Sequence, residues 1–178
     1  MPQARYVYQL NTPIGIMTLL ADDNALRGAF FAREMPHMQP HWITMPNHPI
    51  LAQASTALLR YFNGEHTTFH HLPIAPIGSA FQCKVWQALQ NIEYGESLSY
   101  GQLAEHIGRK SAVRAVANAV GKNPLGIIIP CHRVLGKQRQ LTGFGGGLPA
   151  KRYLLNLEGI AFTDRGKEFV NPKHHRGL

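Results

Sequence analysis

The residues best suited to chemistry lie in one short segment, in which a cysteine is followed directly by a histidine. Cys131 and His132 come after Pro130 and the apolar residues 127–129. A thiol with an ordinary pKa of about 8.5 is only a few per cent thiolate at neutral pH, so it needs a nearby base to act as a nucleophile. His132 is the adjacent base. Because neighbouring side chains of an extended chain point apart, contact between the two requires a tight turn or an intervening water.

An acidic side chain that could orient this histidine lies further along the chain. Glu158 follows the Leu-rich residues 154–157 and precedes Gly159, which is the pattern of a helix end. The residue types leave two interpretations of Cys131 open: a nucleophile activated by a His–Glu pair, or a buried structural cysteine beside a surface histidine. Cys83 has no neighbouring histidine and acid, so we expect it to be structural.

The composition is typical of a folded globular protein, with 44% hydrophobic and 16% charged residues. Two cysteines are too few for a disulfide framework, which favours a reducing compartment. No apolar run reaches the roughly 18 residues that a membrane span needs, and no apolar signal core precedes Arg5. We therefore expect a cytoplasmic protein, associated with the nucleoid if its source is bacterial.

The net charge is distributed unevenly along the chain. Residues 1–80 contain four basic and four acidic side chains, whereas residues 81–178 contain 14 basic and six acidic ones. The whole excess of +8 therefore lies in the second half. A basic module of this kind suits a polyanion, because bound phosphates release counterions. We expect nucleic acid as its partner; the alternative is a generally basic, solvated surface.

The first half has the pattern of an antiparallel sheet followed by a helix. Residues 50–62 carry apolar side chains at helical spacing and end at Asn63-Gly64, which predicts a helix. Three apolar stretches before it are separated by turn residues, which predicts a meander of strands at residues 6–10, 14–21 and 26–31.

The second half is predicted to be mostly helical. Ser79, Ser99 and Ser111 are each placed to cap the start of a helix, and Gly108 and Gly121 are placed to end one. The predicted helices that begin at Ser99 and Ser111 are joined by a short turn containing Arg109 and Lys110. This is the layout of a helix-turn-helix.

Together these patterns predict an α+β protein with two domains. Residues 1–78 would form a small antiparallel sheet with a helix. Residues 79–178 would form a mostly helical domain that contains the helix-turn-helix. A chain of 178 residues is long enough for two such small modules.

The second helix of that motif carries small side chains opposite its valines. We place Arg114, Ala115, Asn118 and Ala119 on this exposed face. Alanines can read few base edges, but they let a helix backbone approach a narrow groove closely. This favours sequence-independent docking, with Arg114 as the long cation that reaches in. The alternative is that the alanines pack against another helix.

Pro-Cys-His-Arg-Val, at residues 130–134, closely resembles the active-site motif of the O6-alkylguanine-DNA alkyltransferases, also called methylated-DNA–protein-cysteine methyltransferases. The resemblance covers nearly the whole chain and is strongest over residues 80–160. It includes Asn123-Pro124 upstream and Leu-Leu-x-x-Glu-Gly, residues 154–159, downstream. The other matching segments are Thr-Pro-Ile-Gly at 12–15, Phe-Gln at 81–82, Val-Trp at 85–86, Ser-Tyr-Gly-Gln-Leu-Ala at 99–104, Ala-Val at 115–116 after Arg114, Thr-Gly-Phe at 142–144 and the residues from Lys151 to Gly159.

The resemblance implies a ribonuclease H-like N-terminal domain, mainly structural, and a C-terminal domain that binds DNA and accepts the alkyl group. The implied activity is direct-reversal DNA repair. After base flipping, the alkyl group of O6-alkylguanine, and more weakly of O4-alkylthymine, is transferred irreversibly to Cys131. The implied partner is double-stranded DNA containing the lesion, bound by a monomer that uses no cofactor.

The resemblance also implies roles for individual residues. Cys131 would accept the alkyl group, with His132 as its base through a bound water and Glu158 orienting His132. Asn123 would tie the helix-turn-helix to the active-site segment, and Tyr100 would donate toward the damaged base. The residues implied in DNA binding are Arg114, Tyr100, Ala115, Asn118, Ala119, Lys122 and Arg133. Those implied to form the base pocket are Tyr100, Val134, Phe144, Gly145, Gly146 and Gly147.

The sequence departs from the family's usual pattern in the implied pocket wall. Phe144 stands where Tyr is common and Gly145 where Ala or Ser is frequent, and three consecutive glycines predict a loose wall. Some relatives bind zinc through Cys and His in the N-terminal domain. This half contains histidines but no cysteine, so we expect no metal site there.

Two other classes of function are compared with alkyl transfer. Alkyltransferase-like proteins bind alkylated DNA without enzymatic activity and recruit other repair factors. They usually carry Trp at the acceptor position, where this chain has Cys131. A thiol hydrolase with a Cys-His-Glu triad would use the same side chains, but it would not account for the helix-turn-helix or the uneven charge.

Overall fold

The computed structural model of the protein describes residues 4–164 and 168–170, and the chain divides into two compact units. The first unit comprises the residues up to Ile77 together with Pro124–Ile128. The second comprises Gly78–Asn123 and the residues from Ile129 onward. The segment 124–128, which the sequence analysis places in the second domain, is thus part of the first unit. It is held there by the Ala29 amide, which donates to the Pro124 carbonyl at 2.8 Å.

The first unit contains a four-stranded sheet in the order β3-β2-β1-β4. The predicted meander is confirmed: β1, β2 and β3 pair antiparallel in chain order, whereas β4 pairs parallel with β1. The β1–β2 hairpin closes with Thr12 opposite Gly15, whose φ of 102° is a conformation that favours glycine. The strands are β1 (Tyr6–Thr12), β2 (Gly15–Ala21), β3 (Leu26–Phe30) and β4 (Ile43–Thr44).

A single long helix, α1 (Pro49–Phe62), covers this sheet, as its apolar spacing predicts. The His48 side chain accepts a hydrogen bond from the Ile50 amide, and Pro49 fits the first helical turn because it needs no donor there. The buried face of the helix consists of Ile50, Leu51, Ala54, Ala57, Leu58, Tyr61 and Phe62. This apolar face gives the first unit a core of its own.

In the described part of the second unit there are four α-helices and short strand pairs. Ser79 and Ser99 cap α2 and α3 through reciprocal bonds with Gln82 and Gln102, so both predicted caps are confirmed. The cap predicted at Ser111 is wrong: the next helix begins one residue later, with Ala112 at the cap position and no side-chain bond. The helices are α2 (Ala80–Leu89), α3 (Tyr100–His106), α4 (Val113–Gly121) and α5 (Leu148–Leu157).

Short strands complete the second unit. β5 (Leu98–Ser99) pairs parallel with β6 (Val134–Leu135). β7 (Phe162–Asp164) pairs antiparallel with β8 (Glu168–Val170). The β5–β6 pair matters most for the site, because β5 leads directly into α3 and β6 follows directly after Arg133.

Helices α3 and α4 form the predicted helix-turn-helix, and both pack against α2. Val116 and Val120 of α4 are buried, as is Leu103 of α3. Trp86 of α2 is almost completely buried, and its indole Nε1 donates to the Ala119 carbonyl at 2.8 Å. A hydrogen bond thus joins α4 to α2 in addition to their apolar packing.

Helix length bears on membrane insertion. Among the helices of residues 4–164, α1 is the longest with 14 residues, whereas a bilayer span needs about 20. No helix within the described residues is both long and apolar enough to cross a membrane.

We predict that Trp86→Phe destabilises the protein by about 2 kcal/mol, because it removes the bond to Ala119 and part of a buried ring. Urea denaturation followed by circular dichroism measures the change. Trp42→Phe is the matched control, since Trp42 is only partly buried, and should cost less than about 1 kcal/mol. Equal losses for the two variants would contradict the structural role assigned to Trp86.

Candidate active site

Cys131 lies in a tight turn that the preceding residues impose. Cys131–Arg133 form one turn of 3-10 helix, which begins after Pro130 with φ −80° and ψ 64°. The Cys131 amide donates to the Ile129 carbonyl at 2.8 Å, closing a turn around that proline. Asn123 donates its side-chain amide to the same carbonyl at 2.8 Å. Asn123 thus links the end of the helix-turn-helix to the segment that holds the cysteine.

The approach to this turn is buried and strained. Ile127, Ile128 and Ile129 are at most 5% exposed, as their run of apolar side chains predicts. Ile127 has a φ of 69°, a left-handed conformation that a β-branched residue rarely adopts. Such a conformation costs of order 1–3 kcal/mol and persists only where the surrounding structure enforces it.

His132 and Glu158 form the pair that the sequence analysis predicts. The imidazole Nε2 lies 2.5 Å from Glu158 Oε2, and both side chains are completely buried. Glu158 is the residue that caps the end of α5, and Gly159 follows with a φ of 77°. The tight turn at Cys131 therefore brings His132 to the end of a helix that is distant in sequence.

Arg133 also binds Glu158, which corrects its predicted place on the DNA-binding surface. Its Nε donates to Glu158 Oε1 at 2.8 Å, and its Nη1 donates to the Ile92 carbonyl at 2.6 Å. The residue is only 6% exposed. A guanidinium held in this way neutralises a buried carboxylate, so Arg133 is part of the interior. The Gly95 amide is a further donor to Glu158 Oε1, at 3.0 Å.

The electrostatics of this cluster fix its protonation. Burial lowers the pKa of His132 below its usual value, although Glu158 opposes the shift. Burial alone would raise the pKa of Glu158, but His132 and Arg133 lower it far below its usual range. At neutral pH the site holds a neutral imidazole and an ionised carboxylate. A carboxylate can only accept, so the shared proton is on Nε2 and Nδ1 keeps its lone pair.

Lys151 is a second buried cation close to the thiol, and the sequence analysis assigns it no role. It is completely buried, and its Nζ donates to the Val134 carbonyl at 2.7 Å. Burial lowers its pKa to about 8, while the negative charge of Cys131 opposes that shift. Its position on the same apolar face of the helix as Leu154 and Leu155 is the sequence signal that could have predicted its burial.

Tyr100, at the start of α3, is the third polar group near Cys131. Burial raises the pKa of its hydroxyl, Thr142 opposes the shift and the negative charge of Cys131 adds to it. The phenol therefore stays protonated through the neutral range. Tyr100 is thus a protonated donor within electrostatic reach of Cys131; its donation toward a damaged base stays a prediction.

Of the remaining residues of the predicted base pocket, Val134, Phe144 and Gly147 contact Lys151. Val134 is completely buried, and the Phe144 ring centroid is 5.8 Å from Lys151 Nζ. The Gly147 amide donates to the Phe144 carbonyl at 2.8 Å, which closes a turn before α5. Gly147 has a φ of 90°, so a side chain there would be strained; Gly145 is exposed and Gly146 is half-buried.

The predicted DNA-binding face of α4 is exposed only in part. Arg114, Ala115, Asn118 and Lys122 are exposed. Ala119 is only 2% exposed, so its predicted DNA contact is corrected: it packs inside, where its carbonyl binds Trp86.

Cys83 and the histidines considered as metal ligands are the two remaining features of the sequence analysis. Cys83 is half-buried, and its Sγ lies 3.7 Å from the Gly78 carbonyl. Within residues 4–164 and 168–170, no three or more His, Cys, Asp or Glu side chains are close enough to hold a metal ion.

We predict that Glu158→Gln lowers the free energy of unfolding by roughly 3–5 kcal/mol at neutral pH, because it leaves the Arg133 charge buried without its partner. The folded-state pKa of Glu158 lies below its ordinary value of 4.5. Its stabilising effect is therefore fully present above pH 4.5 and is lost as the pH falls below that value. Below pH 4.5 the difference in free energy of unfolding between Glu158→Gln and the wild type should therefore become smaller.

Urea denaturation at several pH values tests this prediction. Glu65→Gln is the matched control, because Glu65 pairs with Arg60 at 3.4 Å on the exposed surface. The control should change stability by less than about 1 kcal/mol. A Glu158→Gln variant as stable as this control would show that the buried carboxylate is dispensable.

Comparison with known proteins supports this description along the whole chain. Residues 5–76 match the ribonuclease-like domain of 6-O-methylguanine DNA methyltransferase, and residues 80–160 match its DNA-binding domain. A methylated-DNA–protein-cysteine methyltransferase of Haemophilus influenzae is 46% identical over 96% of this chain and 95% of its own. The constitutive enzyme of that name from Bacillus subtilis is 39% identical over 90% of this chain and 99% of its own.

The fold agrees with the sequence matches. The crystal structure of OGT from Mycobacterium tuberculosis in complex with DNA superposes with a TM-score of 0.79 at 40% identity, covering 86% of this chain and 92% of that one. With both domain profiles matched in order and close relatives matched along nearly their full length, the chain belongs to the 6-O-methylguanine DNA methyltransferase family.

Proposed function

We propose that this protein repairs alkylated DNA by direct reversal, moving the alkyl group of O6-alkylguanine to the sulfur of Cys131. O4-alkylthymine is a weaker substrate. The observation that carries the proposal is the buried arrangement of Cys131, His132 and Glu158. In it, Glu158 accepts a hydrogen bond from Nε2 of His132. Membership of the methyltransferase family and the names of its relatives agree with this chemistry.

His132 acts as the base that converts the thiol to a thiolate. Its Nε2 proton is held by the ionised Glu158, so Nδ1 accepts the proton of Cys131 through a bound water. The imidazolium that forms is stabilised by the same carboxylate. Lys151 places a further positive charge close to the thiolate.

The thiolate then displaces guanine from the alkyl carbon. The sulfur lone pair forms the S–C bond, the C–O6 bond breaks, and its electron pair stays on the purine. Tyr100 donates its hydroxyl hydrogen toward the leaving base as negative charge develops there. The product is a thioether, which water does not readily cleave. Each molecule therefore acts once.

Helix α4 brings the protein to duplex DNA. Its exposed Ala115 lets the helix lie close to the groove, and the exposed Asn118 and Lys122 face the sugar-phosphate backbone. Arg114 fills the space that the extruded nucleotide leaves. Extrusion costs a few kcal/mol, which contacts of this kind offset. The protein acts as a monomer and needs no cofactor in this scheme.

We predict that intact protein mixed with an O6-methylguanine oligonucleotide gains the mass of one methylene permanently, and that the methyl group maps to Cys131. Cys83→Ala should gain the same mass, since Cys83 lies at the start of α2 against the Gly78 carbonyl and outside the His132–Glu158 pair, whereas Cys131→Ala should gain none. Intact-mass spectrometry followed by peptide mapping measures both. DNA binding without any gain of mass would instead favour a lesion reader, and repeated turnover of esters or peptides a hydrolase.

We predict that Arg114→Ala slows alkyl transfer from duplex DNA by about ten-fold or more, equivalent to at least about 1.4 kcal/mol. Its reaction with free O6-benzylguanine base should stay close to that of the wild type, because no nucleotide has to leave a stack. Single-turnover rates on the two substrates measure the effect, with Lys84→Ala as a control for lost charge. An equal slowing on both substrates would contradict the intercalating role.

A further inference from the structure

The 92–95 loop, which precedes β5, contacts the buried pair of Arg133 and Glu158 in ways that the scheme above does not use. The Ile92 carbonyl accepts a hydrogen bond from Arg133 Nη1 at 2.6 Å. The Gly95 amide donates to Glu158 Oε1 at 3.0 Å. Both charged side chains are therefore bound to this loop as well as to each other.

Tyr94 lies between these two contacts and places its ring beside the guanidinium. The ring centroid is 5.8 Å from Arg133 Cζ, which is within the range of a cation–π interaction. The Tyr94 hydroxyl donates to the Leu157 carbonyl at 3.2 Å. Burial and the charge of Glu158 raise the pKa of this hydroxyl, so it stays a donor at neutral pH. The ring is thus anchored to the end of α5 while it lies against the cation.

The ion pair between Arg133 and Glu158 is unsymmetrical. Arg133 Nε donates to Glu158 Oε1 at 2.8 Å, whereas Nη2 lies 3.2 Å from Oε2. An unrestrained arginine–carboxylate pair often forms two parallel hydrogen bonds. Here Oε2 lies closer to His132 Nε2, at 2.5 Å. Arg133 and His132 therefore compete for one carboxylate oxygen, and the position of the guanidinium decides how strongly each of them binds it.

We propose that Tyr94 is a positioning residue for alkyl transfer, whose ring holds the Arg133 guanidinium so that Glu158 Oε2 stays directed at His132. The inference rests on the proposed function, in which His132 is the base. The Ile92 carbonyl restrains one nitrogen of the guanidinium, and the ring restrains its plane. Without the ring, the guanidinium moves toward Oε2, and the imidazolium that forms during transfer loses part of its stabilisation.

The expected effect on the pKa of His132 has a definite sign. Burial is the main cause of its low value; of the charged groups around the ring, Glu158 raises the pKa, whereas Arg133 and Lys151 lower it. A weaker contact with Glu158 and a closer Arg133 both lower it further. The acid limb of the rate profile, where the imidazole takes up a proton from solvent, then moves to lower pH. A weaker base also accepts the proton of Cys131 less readily, so the maximum rate falls.

Single-turnover methyl transfer from an O6-methylguanine duplex, measured between about pH 5 and about pH 9 with the protein in excess, tests the inference. Tyr94→Leu should lower the maximum rate about five-fold and move the acid midpoint down by about half a pH unit. The protein concentration that gives half the maximum rate should not change, because the ring acts on the base and not on DNA binding. Tyr94→Phe should keep the wild-type midpoint, because the ring remains.

Two further variants separate positioning from a general loss of stability. Trp86→Phe weakens the same unit at its contact with the Ala119 carbonyl, away from the ion pair, and should leave the midpoint within error of the wild type. Tyr94→Met replaces Tyr94→Leu if circular dichroism shows that the leucine variant does not fold, since methionine adapts to irregular spaces.

An unchanged midpoint in the folded Tyr94→Leu or Tyr94→Met variant would overturn the inference. An equal shift in Tyr94→Phe would contradict the role of the ring, and an equal shift in Trp86→Phe would show an effect of lost stability alone. A defect seen only as a higher half-saturating concentration would also count against positioning of the base. Absence of transfer from the duplex by the wild type would instead refute the proposed function itself.

Discussion

The carboxylate of Glu158 is the constraint on which the rest of the second unit depends. It lies in the interior, where an ionised group is tolerated only if charge and hydrogen bonds compensate its lost hydration. His132, Arg133 and the Gly95 amide supply that compensation from two other parts of the chain. The end of α5, the turn at Cys131 and the loop before β5 must therefore meet at one point. The orientation of His132 follows from this meeting, whereas burial lowers the pKa of its imidazole against the opposing effect of Glu158.

Local signals are sufficient to predict much of the fold, whereas the central pair of the site also needs the family motif. Capping at Ser79 and Ser99 depends on residues three positions away, so the sequence contains the whole interaction. The partnership of His132 with Glu158 was predicted from the residue types and the family motif together. The features that were mispredicted depend on contacts between distant segments. The sequence indicates that Arg133 is a surface cation, but the structure pairs it with Glu158. The sequence likewise places Ala119 on the exposed face, but its carbonyl accepts a hydrogen bond from Trp86.

Backbone strain in this protein is concentrated around the reactive cysteine. Among the residues described, the non-glycine positions with positive φ are Ile127, Gln138 and Arg139, which lie in the chain on either side of Cys131. Stable folds place such conformations where something other than stability is selected. Here the strained positions shape the approach to the thiol and a turn beside Tyr100. No pattern of hydrophobic spacing could have predicted them, since periodicity describes only regular structure.

The burial of Cys131 has a consequence for the protein while it waits for a lesion. A thiolate-forming cysteine on the surface would be oxidised by peroxides to sulfenic acid and then irreversibly to sulfinic acid. Oxidation follows exposure as well as thiolate character, and Cys131 is only 8% exposed. An acceptor that reacts once has no later cycle in which to recover from such damage. Enclosure of the sulfur therefore slows its oxidation and preserves the acceptor until a lesion is met.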